Sequence, residues 1–137
     1  MRSGTQIARL GKWAWKCTLR CVIVDDSATF LDTARTMLER DGITVVGVAM
    51  SGAEALRRVE ELQPDVMLVD VDLGAESGFE VAERLHRTPA SPLVILISAH
   101  AERDLAELVE ASPALGFVPK IALSTRAIRD LVGAGPK

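Results

Sequence analysis

Aromatic residues are scarce in this 137-residue chain: three Phe, two Trp and no Tyr. Both tryptophans, Trp13 and Trp15, stand in the first twenty residues, so Phe30, Phe79 and Phe117 are all that remain for the rest of the chain. A nucleic-acid platform built on stacked aromatics has no material there. Cysteine is equally sparse. Cys17 and Cys21 cannot staple a secreted scaffold, and a reduced, cytoplasmic setting is the expectation. No apolar run approaches the roughly 18–20 residues that span a bilayer, and no run of roughly 7–15 apolar residues marks a secretory leader. Acid is missing from residues 1–20, where Arg2, Arg9, Lys12, Lys16 and Arg20 give +5, whereas the remaining 117 residues hold 11 basic and 19 acidic groups. The net charge of -3 therefore hides a basic leader ahead of an acidic domain.

What is present is globular. At 48% hydrophobic and 26% charged, the composition lies far from disorder, and the length suits one domain. We place a basic N-terminal extension at 1–18, the folded domain at 19–132 and a tail at 133–137. The leader reads either as a mis-set start or disordered arm, or as a contact segment anchored by Trp13 and Trp15.

From Leu19 onward, short apolar runs alternate with amphipathic stretches, the pattern of βα units in a parallel sheet. The runs are Leu19 to Val24, Thr44 to Ala49, Val66 to Val69, Leu93 to Ile97 and Leu115 to Val118. They are almost continuous in Val, Ile and Leu, as strands covered on both faces must be. The intervening helices are expected from Ser27 to Arg40, with Phe30, Ala34, Met37 and Leu38 on the inner face and Gly42 past the end; from Ser51, paired with Glu54 in a capping box, to Leu62 before Pro64; from Ser77 to Arg87; from Ala101 to Ala111; and from Ser124 to Val132. Cys21 reads as a small buried apolar residue, and Arg57 and Arg58 as solvent-facing.

Ligands of open parallel sheets bind where the strands end at their carboxyl side. Those ends carry Asp25 and Asp26, Asp70, Ser98, and Lys120. Taken singly, each has an ordinary reading as a loop acid, a turn residue, a helix cap or a solvated cation. Taken together, they put carboxylates, a hydroxyl and an ammonium on one edge. Clustered carboxylates suit a hard divalent cation such as Mg²⁺. An Asp beside it can attack a phosphoryl donor, while a cation and a hydroxyl meet the charge on the transferred group.

Four segments carry a resemblance. Val22-Ile23-Val24-Asp25-Asp26, Leu68-Val69-Asp70 followed by Gly78, Ile97-Ser98-Ala99, and Gly116-Phe117-Val118-Pro119-Lys120 resemble, in this order, the motifs of the receiver domain of two-component response regulators. The intervals agree too, with 44 positions from Asp26 to Asp70 and 22 from Ser98 to Lys120. The resemblance implies a flavodoxin-like, CheY-like doubly wound α/β fold with strand order 2-1-3-4-5. It implies that Asp70 accepts phosphate from a sensor histidine kinase or phosphotransfer protein. Asp25, Asp26, Asp70 and the backbone carbonyl of Asp72 would hold Mg²⁺, and Ser98 and Lys120 would bind phosphoryl oxygens, with small Ala99 leaving room beside them. Phe117 matches the family's switch aromatic, while the residues alone allow a packed strand position.

The family often has Met-Pro where this chain has Leu73-Gly74. Glycine frees that turn, and a more mobile loop is expected. Asp72 adds an acid that either assists the metal or hinders the incoming phosphoryl group.

Asp70-Val71-Asp72 also fits the nucleophile pair of a haloacid-dehalogenase-like phosphatase, although that motif opens its catalytic domain and here stands mid-chain. A degenerate receiver, binding a partner without phosphorylation, is the other alternative. A flavodoxin-like electron carrier would share the fold class, but no Ser/Thr/Gly phosphate loop follows the first strand of this chain. His86 and His100 read as solvated, with His100 near the mouth of the site. The expectation is a stand-alone switch rather than a turnover enzyme, with no DNA-binding domain in the chain. Its signal would pass by contact, by phosphorelay or by self-association as a homodimer through helix four, strand five and helix five.

Overall fold

A computed structural model describes residues 19–100 and 104–134. The basic leader with Trp13, Trp15 and Cys17, the start of the fourth expected helix at Ala101, and the last residues of the tail lie outside the described residues.

Five strands form one sheet: β1 (Arg20–Val24), β2 (Thr44–Ala49), β3 (Val66–Asp70), β4 (Leu93–Ser98) and β5 (Gly116–Pro119). All neighbours are parallel and the order is 2-1-3-4-5, the doubly wound arrangement expected from the sequence. The helices are α1 (Ala28–Arg40), α2 (Gly52–Leu62), α3 (Gly78–His86), α4 (Ala106–Ala111) and α5 (Thr125–Ala134).

The continuous apolar character of the strands follows from two cores, one on each face. Successive side chains leave a strand on opposite sides. Cys21, Ile23, Leu68, Ile95, Ile97 and Val118 therefore join Leu31 and Leu38 of α1 and Ile128 of α5. Val22, Val24, Met67, Val69, Leu96 and Phe117 join Ala55 and Val59 of α2 and Val81, Ala82 and Leu85 of α3. On α1 the inner face is Leu31, Ala34 and Leu38, and the expected Phe30 is only half-buried at its edge. Cys21 is fully buried, and loss of solvation, with Asp65 nearby, pushes its thiol up to about 12, so it is an inert core residue.

Local chemistry sets the helix ends. Ser27, Ser51 and Ser77 accept hydrogen bonds from the amides of Phe30, Glu54 and Phe79. Glu54 reaches back to the Met50 amide at 2.7 Å, one residue earlier than a reciprocal box requires. α2 stops at Gln63, which takes a left-handed conformation (φ 46°) ahead of Pro64.

β2 is an edge strand. Thr44 N–H and the Ala49 carbonyl face β1, bonding Leu19 O and Asp25 N, so by alternation the Val45 and Val48 carbonyls face outward. Arg35 covers the first at 3.5 Å and Arg58 the second at 3.0 Å. Arg58 is therefore half-buried against the sheet edge rather than free in solvent, and the two side chains blunt an open template for strand pairing.

One element had no signal in the sequence. Asp72–Leu73 and Glu76–Ser77 pair antiparallel as a two-residue-stranded hairpin, with Gly74 at φ 70° in the turn. Leu73 is buried in the α2/α3 core, so the loop expected to gain freedom from glycine is folded down.

Candidate functional site

The sheet brings the expected residues to its carboxyl edge. Asp25 follows the last residue of β1 and Asp70 ends β3 beside it, because Val24 and Val69 are register partners. Ser98 ends β4 and Lys120 follows β5, since Ser98 pairs with Pro119. The cleft between them has a volume of about 260 Å³ and is lined by Asp26, Asp70, Asp72, Gly74, Ser98, Ala99, His100 and Lys120.

Burial grades the carboxylates. Asp25 is wholly inaccessible and Asp70 is 4% exposed, whereas Asp26 and Asp72 are open to solvent. Asp25 Oδ1 accepts from Ser27 N at 2.8 Å, which ties the acidic pair to the cap of α1. Its Oδ2 meets Lys120 Nζ at 2.6 Å as an ion pair but has no well-directed hydrogen bond. Asp70 Oδ1 accepts from Asp72 N, and its Oδ2 accepts from Lys120 Nζ, both at 3.2 Å. The ammonium thus lies between two carboxylates, and the Phe30 ring covers it at 4.4 Å from the centroid. Phe30 is a site residue that periodicity assigned to the core. Its only sequence signal is its place four residues after Asp26.

The electrostatics follow from this packing. Burial, and then the charge of Asp25, raise the affinity of Asp70 for a proton, while the Asp72 amide and Lys120 oppose the rise. For Lys120, burial disfavours the charge, but Asp25 and Asp70 outweigh it and hold the ammonium above its ordinary value.

The donor set fits a hard cation. Asp25, Asp26 and Asp70 each offer a carboxylate oxygen within 4.8 Å of the others, and Asp25 is the one among them with an oxygen, Oδ2, that is buried without a hydrogen bond. Oxygen donors in this density suit Mg²⁺. Ser98 is buried at the floor, its Oγ accepting from His100 N at 2.9 Å. Phe117 does not reach the cleft; it is 8% exposed and packed in the α2/α3 core.

Gly78 is required because α3 starts on top of the Asp70 backbone. Its amide bonds Val71 O at 2.8 Å, and a Cβ there would overlap the Asp70 carbonyl oxygen and lie 2.6 Å from Val71 Cα. Only glycine allows this approach.

A doubly wound α/β domain with buried acids, a hydroxyl and a lysine converging at its strand ends is the class that fold and site define. The chain belongs to the response regulator receiver domain family, whose match covers residues 21–132. It is 36% identical over 105 residues to protein-glutamate methylesterase/protein-glutamine glutaminase 2 of Koribacter versatilis, covering 74% of this chain and 29% of that protein. It is 29% identical over 102 residues to the DNA-binding transcriptional activator EvgA of Escherichia coli, covering 74% of this chain and 50% of that one. The chain thus spans half or less of the length of these relatives. Among solved structures, the receiver domain of the response regulator NarL from Mycobacterium tuberculosis superposes with a TM-score of 0.77 at 29% identity, covering 87% of this chain and 98% of that one. No helix among the described residues is long and apolar enough to cross a membrane.

Proposed function

We propose that this receiver domain is a phosphorylation-driven switch in which Asp70 is the phosphoacceptor. The observation that carries the reading is the trio of carboxylates within 4.8 Å of one another, with Lys120 Nζ wedged between Asp25 and Asp70. A carboxylate oxygen of Asp70 attacks phosphorus, the P–N bond of a kinase or phosphotransfer phosphohistidine breaks, and imidazole leaves with its electron pair and takes up a proton. An acyl phosphate remains on Asp70. Asp25, Asp26, Asp70 and the backbone carbonyl of Asp72 would hold Mg²⁺, which when bound would neutralise the clustered negative charge. Lys120 exchanges a carboxylate for a phosphoryl oxygen, and Ser98 donates its hydroxyl proton to another.

In this reading the pull on Ser98 reaches Phe117 across the β4–β5 ladder and shifts the face made by α4, β5 and α5. Leu108 on α4, 54% exposed, and Ile121 in the turn between β5 and α5, 98% exposed, are apolar groups available there to a protein target or a second copy. The setting is the cytoplasm, where sensor kinases present their phosphohistidine.

The test is phosphotransfer from a small-molecule phosphodonor with Mg²⁺, read by intact mass. Wild type gains one phosphoryl group that base removes and acid spares, and Asp70→Asn gains none. Equal masses for both proteins leave the domain as a phosphorylation-independent contact module, and continuous release of phosphate from a monoester points instead to a phosphatase using Asp70 and Asp72.

A further inference from the structure

Glu76 has no part in the chemistry just described, yet its carboxylate is not idle on the surface. Oε1 accepts from Gly52 N at 2.8 Å, across 24 positions of sequence. Gly52 is the first residue of α2, where backbone amides lack partners within the helix and the dipole favours an anion. Ser51 satisfies the Glu54 amide in that same turn, so Ser51 and Glu76 each take one of the free amides. Gly52 is buried, and its missing side chain is what admits the carboxylate. A Cβ there would lie 2.6 Å from Glu76 Oε2 and 3.0 Å from Val81 Cγ2.

Glu76 also stands in the hairpin that follows the phosphoacceptor. It pairs with Leu73, and Ser77 pairs with Asp72, the residue whose carbonyl completes the proposed metal set and whose amide bonds Asp70. The turn of the hairpin comes close to the acidic pair, since a Cβ on Gly74 would be 3.4 Å from Asp26 Oδ2. A two-residue ladder around a glycine turn does not hold its own position in water. Burial of Leu73 anchors one strand of it, and a charge-assisted hydrogen bond from Gly52 to Glu76 ties the other to an adjoining helix.

We propose that Glu76 is a positioning residue for the metal cleft: its clasp on the N-terminus of α2 holds the Asp72 hairpin against Asp26 and Asp70, so that a divalent cation meets ligands already in place. This rests on the reading of the cleft as a Mg²⁺ site. With Leu73 buried in the core, it gives the loop after the phosphoacceptor a second anchor: a carboxylate that reaches out of the loop to α2.

The experiment compares the full chain with Glu76→Ala, Glu76→Gln and Gly52→Ala. Amide chemical shifts follow a titration with Mg²⁺ alone, and hydrogen exchange of residues 72–77 is measured without metal. Glu76→Ala is expected to weaken Mg²⁺ binding about tenfold, the low end of what losing a group that orients metal ligands costs, and to speed exchange in the hairpin by a similar factor. Glu76→Gln keeps an oxygen that accepts the same bond and stays within about threefold of wild type on the same scale. Gly52→Ala, whose methyl evicts the carboxylate, shifts both readouts in the direction of Glu76→Ala. Wild-type Mg²⁺ affinity and hairpin exchange in Glu76→Ala, with only the melting temperature lowered, would overturn the proposal and make Glu76 a cap for α2. Failure of wild type itself to bind Mg²⁺ refutes the cleft reading instead, and the clasp then stands or falls on the metal-free exchange.

Discussion

Two helices lead away from the cleft, α1 from the acidic pair after β1 and α4 from the hydroxyl that ends β4, and the structure holds them very differently. α1 has thirteen residues, a Ser27 cap, and Leu31, Ala34 and Leu38 buried in the core. Its cap amide also bonds Asp25, so the carboxylate and the helix are one unit. α4 has six residues, no side-chain cap and no buried residue, with Leu108 largely in solvent and Val109 only partly buried. Few buried apolar contacts mean low local stability. The flank carrying the acids is therefore the firmly packed one, as fixed ligands for the proposed metal and phosphoryl group require, and the flank behind Ser98 is the loosely packed one, as the proposed switch requires.

The largest effect should come from forcing apart the anchored flank. Gly78→Ala places a methyl against the Asp70 carbonyl and is expected to cost about 3 kcal/mol or more, read by urea unfolding. Next comes a matched pair of truncations. Leu38→Ala in α1 should cost about 3 kcal/mol, and Val109→Ala in α4 about 1 kcal/mol or less. Equal losses would abolish the contrast between the helices.

A smaller effect tests the electrostatics. Asp70 has its proton affinity raised by burial, so the folded state binds more protons than the unfolded one between the ordinary carboxylate value and the raised one, and stability falls as pH rises through that window. Without Mg²⁺, Asp70→Asn should therefore melt a few degrees higher at neutral pH, with the gain fading as the pH drops toward 3.8. A gain that persists undiminished in acid would show that the buried charge is not its cause. The smallest effect is Leu108→Ser in α4, expected to leave stability within about 0.5 kcal/mol. A substantial loss there would mean that α4 is tied down after all.

Much of this was legible beforehand because it is local. A continuous Val/Ile run reports a strand covered on both faces, and a Ser at the right offset reports a helix start, each from a few adjacent residues. That is why β2, α1 and α2 fall where the sequence puts them. The two-residue strands of the hairpin were invisible because Asp72–Leu73 and Glu76–Ser77 are too short to show any period. Phe30 misled because it fits helical spacing, and only the position of Lys120 distinguishes an edge of the core from a lid over a cation.

By itself, the sequence determined the order of strands and helices and the chemical types at the strand ends: Asp25, Asp26, Asp70, Ser98 and Lys120. Tertiary structure alone decided which of these touch. Lys120 reaches Asp70 across 50 positions, and Glu76 reaches Gly52 across 24. Such contacts depend on which strands become neighbours and which helix starts abut which loops. Short-range periodicity and capping do not encode that arrangement, because it follows from stacking all five units around two shared cores.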